Sequence, residues 1–190
     1  MTINGKPYNN VLLVFALESE AGNEFENYNK VFVGIGKVKA TYNLAKAIQK
    51  VNPDLIINLG TAGSTTFDRG SVVNCSRFIQ RDMDVRALGF QKFETPLSGE
   101  PVLLEYGLNI KSRRNGICGS GDQFEMEHIN PEYNVIDMEA FALAKVAEYE
   151  GIDFLCLKYI SDGADGSAAD DWTQEVKKAS IALRRELDKL

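Results

Sequence analysis

The sequence predicts a three-layer α/β fold with helices on both faces of a central sheet, and three observations carry that expectation. Short apolar runs alternate with amphipathic segments from end to end. Several runs are apolar on both faces, as strands covered by helices must be. Short polar motifs rich in glycine and acids follow the runs, where loops and helix starts gather in such a sheet. At 190 residues the chain has room for one sizeable core and little for a second, so a single domain over 1–190 is expected.

The first strand is expected at VLLVFAL (11–17), followed by the acidic ESE (18–20). KVFVGIG (30–36) is the second, and its glycines open a helix whose stripe is Ala40, Leu44, Ala47, Ile48 and Val51. DLIINLG (54–60) is the third, with GTAGS expected as the loop beyond it. SVVNCSRFI (71–79), NGICGSG (115–121), NVID (134–137) and FLCLKYI (154–160) complete the set. Ala140, Leu143, Ala144 and Ala147 form a second helical stripe after NVID. A last helix shows Trp172, Val176, Ala179, Leu183, Leu187 and Leu190 at spacings of three and four. From Arg81 to Arg114 the periodicity is weak and two prolines intervene, so loops are expected there, over the site or at a subunit contact.

Each polar motif admits a structural as well as a chemical role. Asp162 in SDGAD is either an Asx-turn that ends a strand or an acid whose burial lets it hold a proton. GIGKVKA leaves backbone N–H groups free at a helix start but lacks the Walker pattern and is not GxGxxG. GTAGS adds the hydroxyls of Thr61 and Ser64. Phe124 in GSGDQFE is either core or a ring to stack on a planar ligand. Asp137 is a good N-cap for a helix beginning at Met138, and Glu139 gains from the helix dipole in the first turn, so locally this pair needs no function.

Composition narrows the partners. With 21 basic against 27 acidic residues the net charge is −6, which disfavours nucleic acid and anionic membrane surfaces and leaves a small molecule as the expected partner. Cys75, Cys118 and Cys156 lack CxxC spacing and sit in or beside apolar runs, as buried reduced thiols do. The single histidine, His128, has no second His or Cys partner close by for a zinc site. The first ten residues carry no apolar signal core and no stretch reaches membrane-spanning length, so a cytoplasmic protein is expected.

Taken in order, ALESE, GIGKVKA, PDLIINLGTAGS, RDMDVRALGF, GSGDQF, VIDMEAFALAKVAEYEGIDF and KYISDGAD span residues 16 to 165. Together they resemble the purine nucleoside phosphorylase and nucleosidase superfamily, most of all its 5'-methylthioadenosine/S-adenosylhomocysteine nucleosidase branch. The resemblance implies a mixed, partly barrel-like central sheet, a homodimer, no metal or organic cofactor, and cleavage of the N-glycosidic bond of an adenine nucleoside. It makes Asp162 the general acid toward purine N7, with Ser161 orienting it. Glu139 would grip the ribose hydroxyls with Met138 under the sugar, and Glu20 would hold the attacking water. Phe124 would stack on adenine, the backbone at Glu125 would read the base edge, and Thr61, Ala62 and Gly63 would line the site. Leu17, Ile35, Val85, Leu88, Phe90 and Trp172 fall at an apolar 5' pocket, with residues 85–90 supplied by the other subunit.

The chain departs from that pattern in several places. Leu88 and Phe90 stand where aromatics are common, Trp172 for phenylalanine, Lys158 for arginine and Asp137 for glutamate, and two regions are shortened. A phosphorylase of the same fold would need arginines near the first-strand loop and before the third-strand glycines, where this chain has ALESE and INLGTAG. A non-catalytic nucleoside-binding protein would have no use for Glu20, Glu139, Ser161 and Asp162 together.

Overall fold

A computed structural model of the chain describes residues 1–127, 130–166 and 168–190. A small hairpin, β1 (Thr2–Ile3) and β2 (Lys6–Pro7), precedes β3 (Val11–Phe15), α1 (Glu18–Ala21), β4 (Lys30–Phe32) and α2 (Lys37–Val51). β5 (Leu55–Gly63), β6 (Val72–Gln80), β7 (Asn115–Ser120) and β8 (Val135–Asp137) follow. The chain closes with α3 (Ala140–Glu150), β9 (Asp153–Asp162) and α4 (Ala168–Leu187). Between β6 and β7 the described helical structure is a 3-10 turn at Arg86–Leu88, consistent with the loops expected there.

Seven strands pair in the order β4-β3-β5-β8-β7-β6-β9, and β9 pairs back onto β5. Five of them, β5, β8, β7, β6 and β9, therefore close into a barrel-like ring, with β3 and β4 extending it as a parallel flap. The ring is mixed: β5–β9, β6–β7 and β7–β8 are parallel, while β5–β8 and β6–β9 are antiparallel. The longest seam is β5 against β9, from Leu55↔Asp153 to Gly63↔Asp162.

The doubly apolar runs follow from this layering. Leu12 and Val14 of β3 face one hydrophobic cluster and Leu13 and Phe15 face the other, since side chains alternate along a strand. β9 divides the same way: Phe154, Cys156 and Ile160 on one side, Leu155, Leu157 and Tyr159 on the other. The first cluster is roofed by Ala40, Leu44 and Ile48 of α2 and by Ala140, Leu143, Ala144 and Ala147 of α3. Ala21 of α1 and Ala179, Leu183 and Leu187 of α4 roof the second. Each fully buried leucine there is worth about 1.5–3 kcal/mol, enough to hold α4 against the sheet. The three cysteines are free and fully buried within the first cluster, as their apolar surroundings implied.

Three expectations need correction. GTAG is not a loop: β5 runs through Gly63 because β9 continues to pair with it, and β9 likewise runs through Ser161 and Asp162. α3 does not begin at Met138 with Asp137 as N-cap. Asp137 pairs with Ser120 as the last residue of β8, which holds its backbone extended, and Glu139 takes the N-cap position. The Asp137 carboxylate still accepts the Ala140 N–H at 2.8 Å, so it caps the helix from one turn outside. The hairpin β1–β2 and the one-turn α1 had no counterpart in the sequence reading. His128 lies outside the described residues, and among the described residues no three His, Cys, Asp or Glu side chains are placed to hold a metal.

Candidate active site

The ends of β3, β5, β8 and β9 open onto a cavity of about 410 Å³. It gathers Glu20, Asp162, Ser161, Glu139, Met138, Phe124, Glu125, Thr61, Ala62, Gly63, Ile35, Leu17 and Trp172, which is to say most of the site residues that the sequence suggested. Leu88 and Phe90 are not among its lining: Leu88 is 73% exposed on the 3-10 turn and Phe90 lies just beyond it. Ala16, Arg81, Gln123, Ile136 and Asp137 also line the cavity and were not anticipated as part of it.

Glu20 stands on the single turn of α1, one residue from the buried Ala21 that anchors that turn. Its side chain reaches back to the start of its own turn, so Oε2 accepts the N–H groups of Ala16 at 3.2 Å and Leu17 at 3.1 Å. This is the acidic half of a capping box. Oε1 accepts two donors from one residue of β5, the Thr61 N–H and the Thr61 hydroxyl, both at 2.8 Å. Two donors on each oxygen fix the carboxylate in a site where only 5% of the residue is exposed.

Glu139 enters from the start of α3 and its Oε1 accepts the Gly36 N–H at 2.8 Å, across 103 residues of sequence. Gly36 is the N-cap of α2 with φ +90°, a conformation that favours glycine, and a Cβ there would press on Asp122 Oδ1 at 3.0 Å. GIGKVKA thus presents its free N–H groups to carboxylates of the protein, for the Lys37 N–H goes to Asp122 at 2.7 Å. Behind Glu139, Asp137 and Lys158 form a buried ion pair at 2.8 Å. Asp137 also accepts the Ser120 hydroxyl at 2.5 Å. Burial works against the charged form of Asp137, but Lys158 and these donors hold its carboxyl below the usual range.

Burial pushes the Glu139 carboxyl up to about 8, and the negative Asp137 adds to the push against the opposing pull of Lys158 and the Gly36 N–H. In the unfolded chain this group titrates near 4.5. Between those two values the folded form holds the extra proton, so stability falls as pH rises through that window. Glu139→Gln removes this slope: melting temperature measured from pH 5 to 8 declines in the parent chain and flattens in the variant. A parallel decline in both would assign the slope to another group.

Asp162, 4% exposed, closes β9 opposite Gly63. Its Oδ1 accepts the Ala164 N–H at 2.9 Å and its Oδ2 the Ser161 hydroxyl at 2.8 Å. A Cβ on Gly63 would approach Oδ1 to 2.6 Å, so that glycine is what lets the carboxyl lie against β5. Burial raises its pKa above the ordinary carboxylate value, in spite of the two hydrogen bonds that favour the charge.

At the far end lie Phe124, 46% exposed, and Glu125. Glu125 is paired with Arg81 at 2.9 Å and accepts the Tyr133 hydroxyl at 3.3 Å. Arg81 also donates to the carbonyls of Gly121 and Gln123, which ties the loop after β7 to the end of β6. The Arg81–Glu125 ion pair joins residues far apart in the chain and has no local signature in the sequence.

The sequence pattern of the phosphorylase superfamily matches residues 27–190. A 5'-methylthioadenosine/S-adenosylhomocysteine nucleosidase of Haemophilus influenzae is 30% identical over 156 residues, 72% of this chain and 68% of that protein. The solved 5'-methylthioadenosine/S-adenosylhomocysteine nucleosidase of Helicobacter pylori has the same fold, with TM-score 0.82 at 19% identity over 95% of this chain and 98% of that one. Futalosine hydrolase of Helicobacter pylori shares it as well, with TM-score 0.81 at 18% identity over 95% and 97% of the two chains. By sequence pattern, relatives and ring topology alike, the chain belongs to the phosphorylase superfamily and, within it, to the 5'-methylthioadenosine/S-adenosylhomocysteine nucleosidase family.

Proposed function

We propose that the chain hydrolyses the N-glycosidic bond of an adenine nucleoside such as 5'-methylthioadenosine or S-adenosylhomocysteine, releasing adenine and the 5'-substituted ribose. The observation that carries this is the convergence of Glu20, Glu139 and Asp162 on one cavity. Loss of adenine leaves an oxocarbenium-like sugar, so the reaction needs an acid at the leaving group, negative charge by the cation and a held water on the opposite face. Asp162, its pKa raised by burial, gives its proton to purine N7 while the Ser161 hydroxyl keeps its orientation. Glu139 receives the ribose hydroxyls, with Met138 beneath the sugar; these donors favour the charged form of a carboxyl that burial otherwise holds protonated up to about 8. Glu20 orients the water and takes its proton.

Water rather than phosphate suits this site. The donors on Glu20 are neutral backbone and hydroxyl groups. Among the described residues Arg81 is the cation that lines the cavity, and it is paired with Glu125. Lys158 is paired with Asp137. A phosphate dianion beside Glu20 would meet like charge with no free cation to offset it. Purified protein given 5'-methylthioadenosine should release adenine at the same rate with and without phosphate. Strict phosphate dependence would reverse the assignment, and binding without release would leave a nucleoside-binding protein.

Leu17, Ile35 and Trp172 form an apolar wall suited to a thioether at the 5' position. A homodimer belongs to the same reading, since Ile35, Val38, Tyr42 and Leu88 are exposed apolar side chains that a second copy would cover. Three buried free thiols fit a reducing, cytoplasmic setting.

A further inference from the structure

We infer that Trp172 is a positioning residue for Glu20, its indole N–H fixing the Thr61 hydroxyl and through it the carboxylate. The inference rests on the role proposed above for Glu20. Trp172 stands in the first turns of α4, half-buried, with its ring on the cavity wall. Its Nε1 lies 2.9 Å from Thr61 Oγ1, and that oxygen lies 2.8 Å from Glu20 Oε1.

The direction of each proton follows from the chemistry of the groups. An indole N–H only donates, so Thr61 Oγ1 accepts from it. A hydroxyl carries one proton, and with its acceptor side engaged by the indole that proton turns to Glu20. Thr61 is also β-branched and held in β5, so Oγ1 has little freedom to move. The result is a chain of two hydrogen bonds that ends on the carboxylate oxygen also bound by the Thr61 N–H. Oε2 is set by Ala16 and Leu17 at the other end.

An apolar ring alone would satisfy the cavity wall, and a phenylalanine would supply one. The indole adds a donor that the wall does not need and the carboxylate does. Without it the Thr61 hydroxyl is free to rotate away from Glu20, and the carboxylate that meets the water loses one of the four donors that fix its direction. That loss falls on turnover more than on substrate binding, because the water is aligned for attack only in the transition state.

The test uses the full chain with 5'-methylthioadenosine and the variants Trp172→Phe, Thr61→Val, Thr61→Ser and the Phe/Val double. Trp172→Phe should lower kcat about three- to tenfold with KM changed by less than about twofold, the scale of one neutral hydrogen bond. Thr61→Val should cost at least as much, the double variant no more than Thr61→Val alone, and Thr61→Ser should recover most of the loss. Trp172 is the only tryptophan, so its indole N–H gives a single resonance. That proton should exchange with solvent at least about tenfold faster in Thr61→Val, and its resonance should move in Glu20→Gln. The indole measurements need neither turnover nor the Trp172 variant. Absence of adenine release by the parent chain would therefore count against the proposed function while the relay is still tested. A change confined to KM, independent multiplication of the two single effects, or an indole N–H indifferent to Thr61→Val would overturn the inference.

Discussion

Asp162→Asn lowers the rate of adenine release by about 10²–10⁴-fold, the usual worth of a positioned general acid. The substitution is a clean one here because the carboxamide can keep both native contacts. Its oxygen can accept the Ala164 N–H and its nitrogen can donate to Ser161 Oγ, the positions now held by Oδ1 and Oδ2. Gly63 leaves the same space for either group. What the amide lacks is a proton it can release to purine N7, so affinity for 5'-methylthioadenosine should change little while kcat collapses. Single-turnover adenine release together with equilibrium binding separates the two. A rate within tenfold of the parent chain would remove Asp162 from the acid role and direct attention to solvent as the proton source.

Legibility in the sequence followed the range of the interactions involved. The seven strands of the sheet and the helices α2, α3 and α4 were visible because each carries its own apolar pattern, set by the face it buries. The sequence pattern ends β5 at Gly60 and β9 at Ile160, since glycine, serine and aspartate read as strand ends locally. Their continuation depends on each other, through the Gly63↔Asp162 pairing. Glu20, Glu139 and Asp162 stood out only as members of an ordered set of motifs. Alone, each had an adequate local explanation. Arg81 and the Asp137–Lys158 pair stayed hidden as site features because their partners lie 44 and 21 residues away, beyond any local pattern. Leu88 shows the converse limit: its motif was legible, but it stands 73% exposed on the turn at Arg86–Leu88, outside the cavity lining.

Glu20→Gln should be as damaging to turnover as Asp162→Asn, about 10²–10⁴-fold, and unlike that variant it should also destabilise the fold. Both oxygens of Glu20 are surrounded by donors: Ala16 N–H and Leu17 N–H on Oε2, Thr61 N–H and the Thr61 hydroxyl on Oε1. A carboxamide is half donor. Whichever way it is turned, its NH₂ faces donors, and at least one backbone N–H is left without an acceptor in a nearly closed site. An unsatisfied buried donor costs about 1–3 kcal/mol, so the melting temperature should drop measurably. Rotation toward Thr61 is the less costly choice, because the hydroxyl can accept from the amide, whereas both donors on the other side are backbone N–H groups. That choice forces Thr61 Oγ1 to accept from two sides, from the amide and from Trp172 Nε1, and leaves the Thr61 N–H unmet. Glu20→Asp keeps the charge but shortens the reach to β5, so it should recover stability only in part and turnover less. Denaturant unfolding and adenine release measured on the same three proteins decide the matter: loss of turnover without loss of stability would mean that the carboxylate is not held by these four donors in solution.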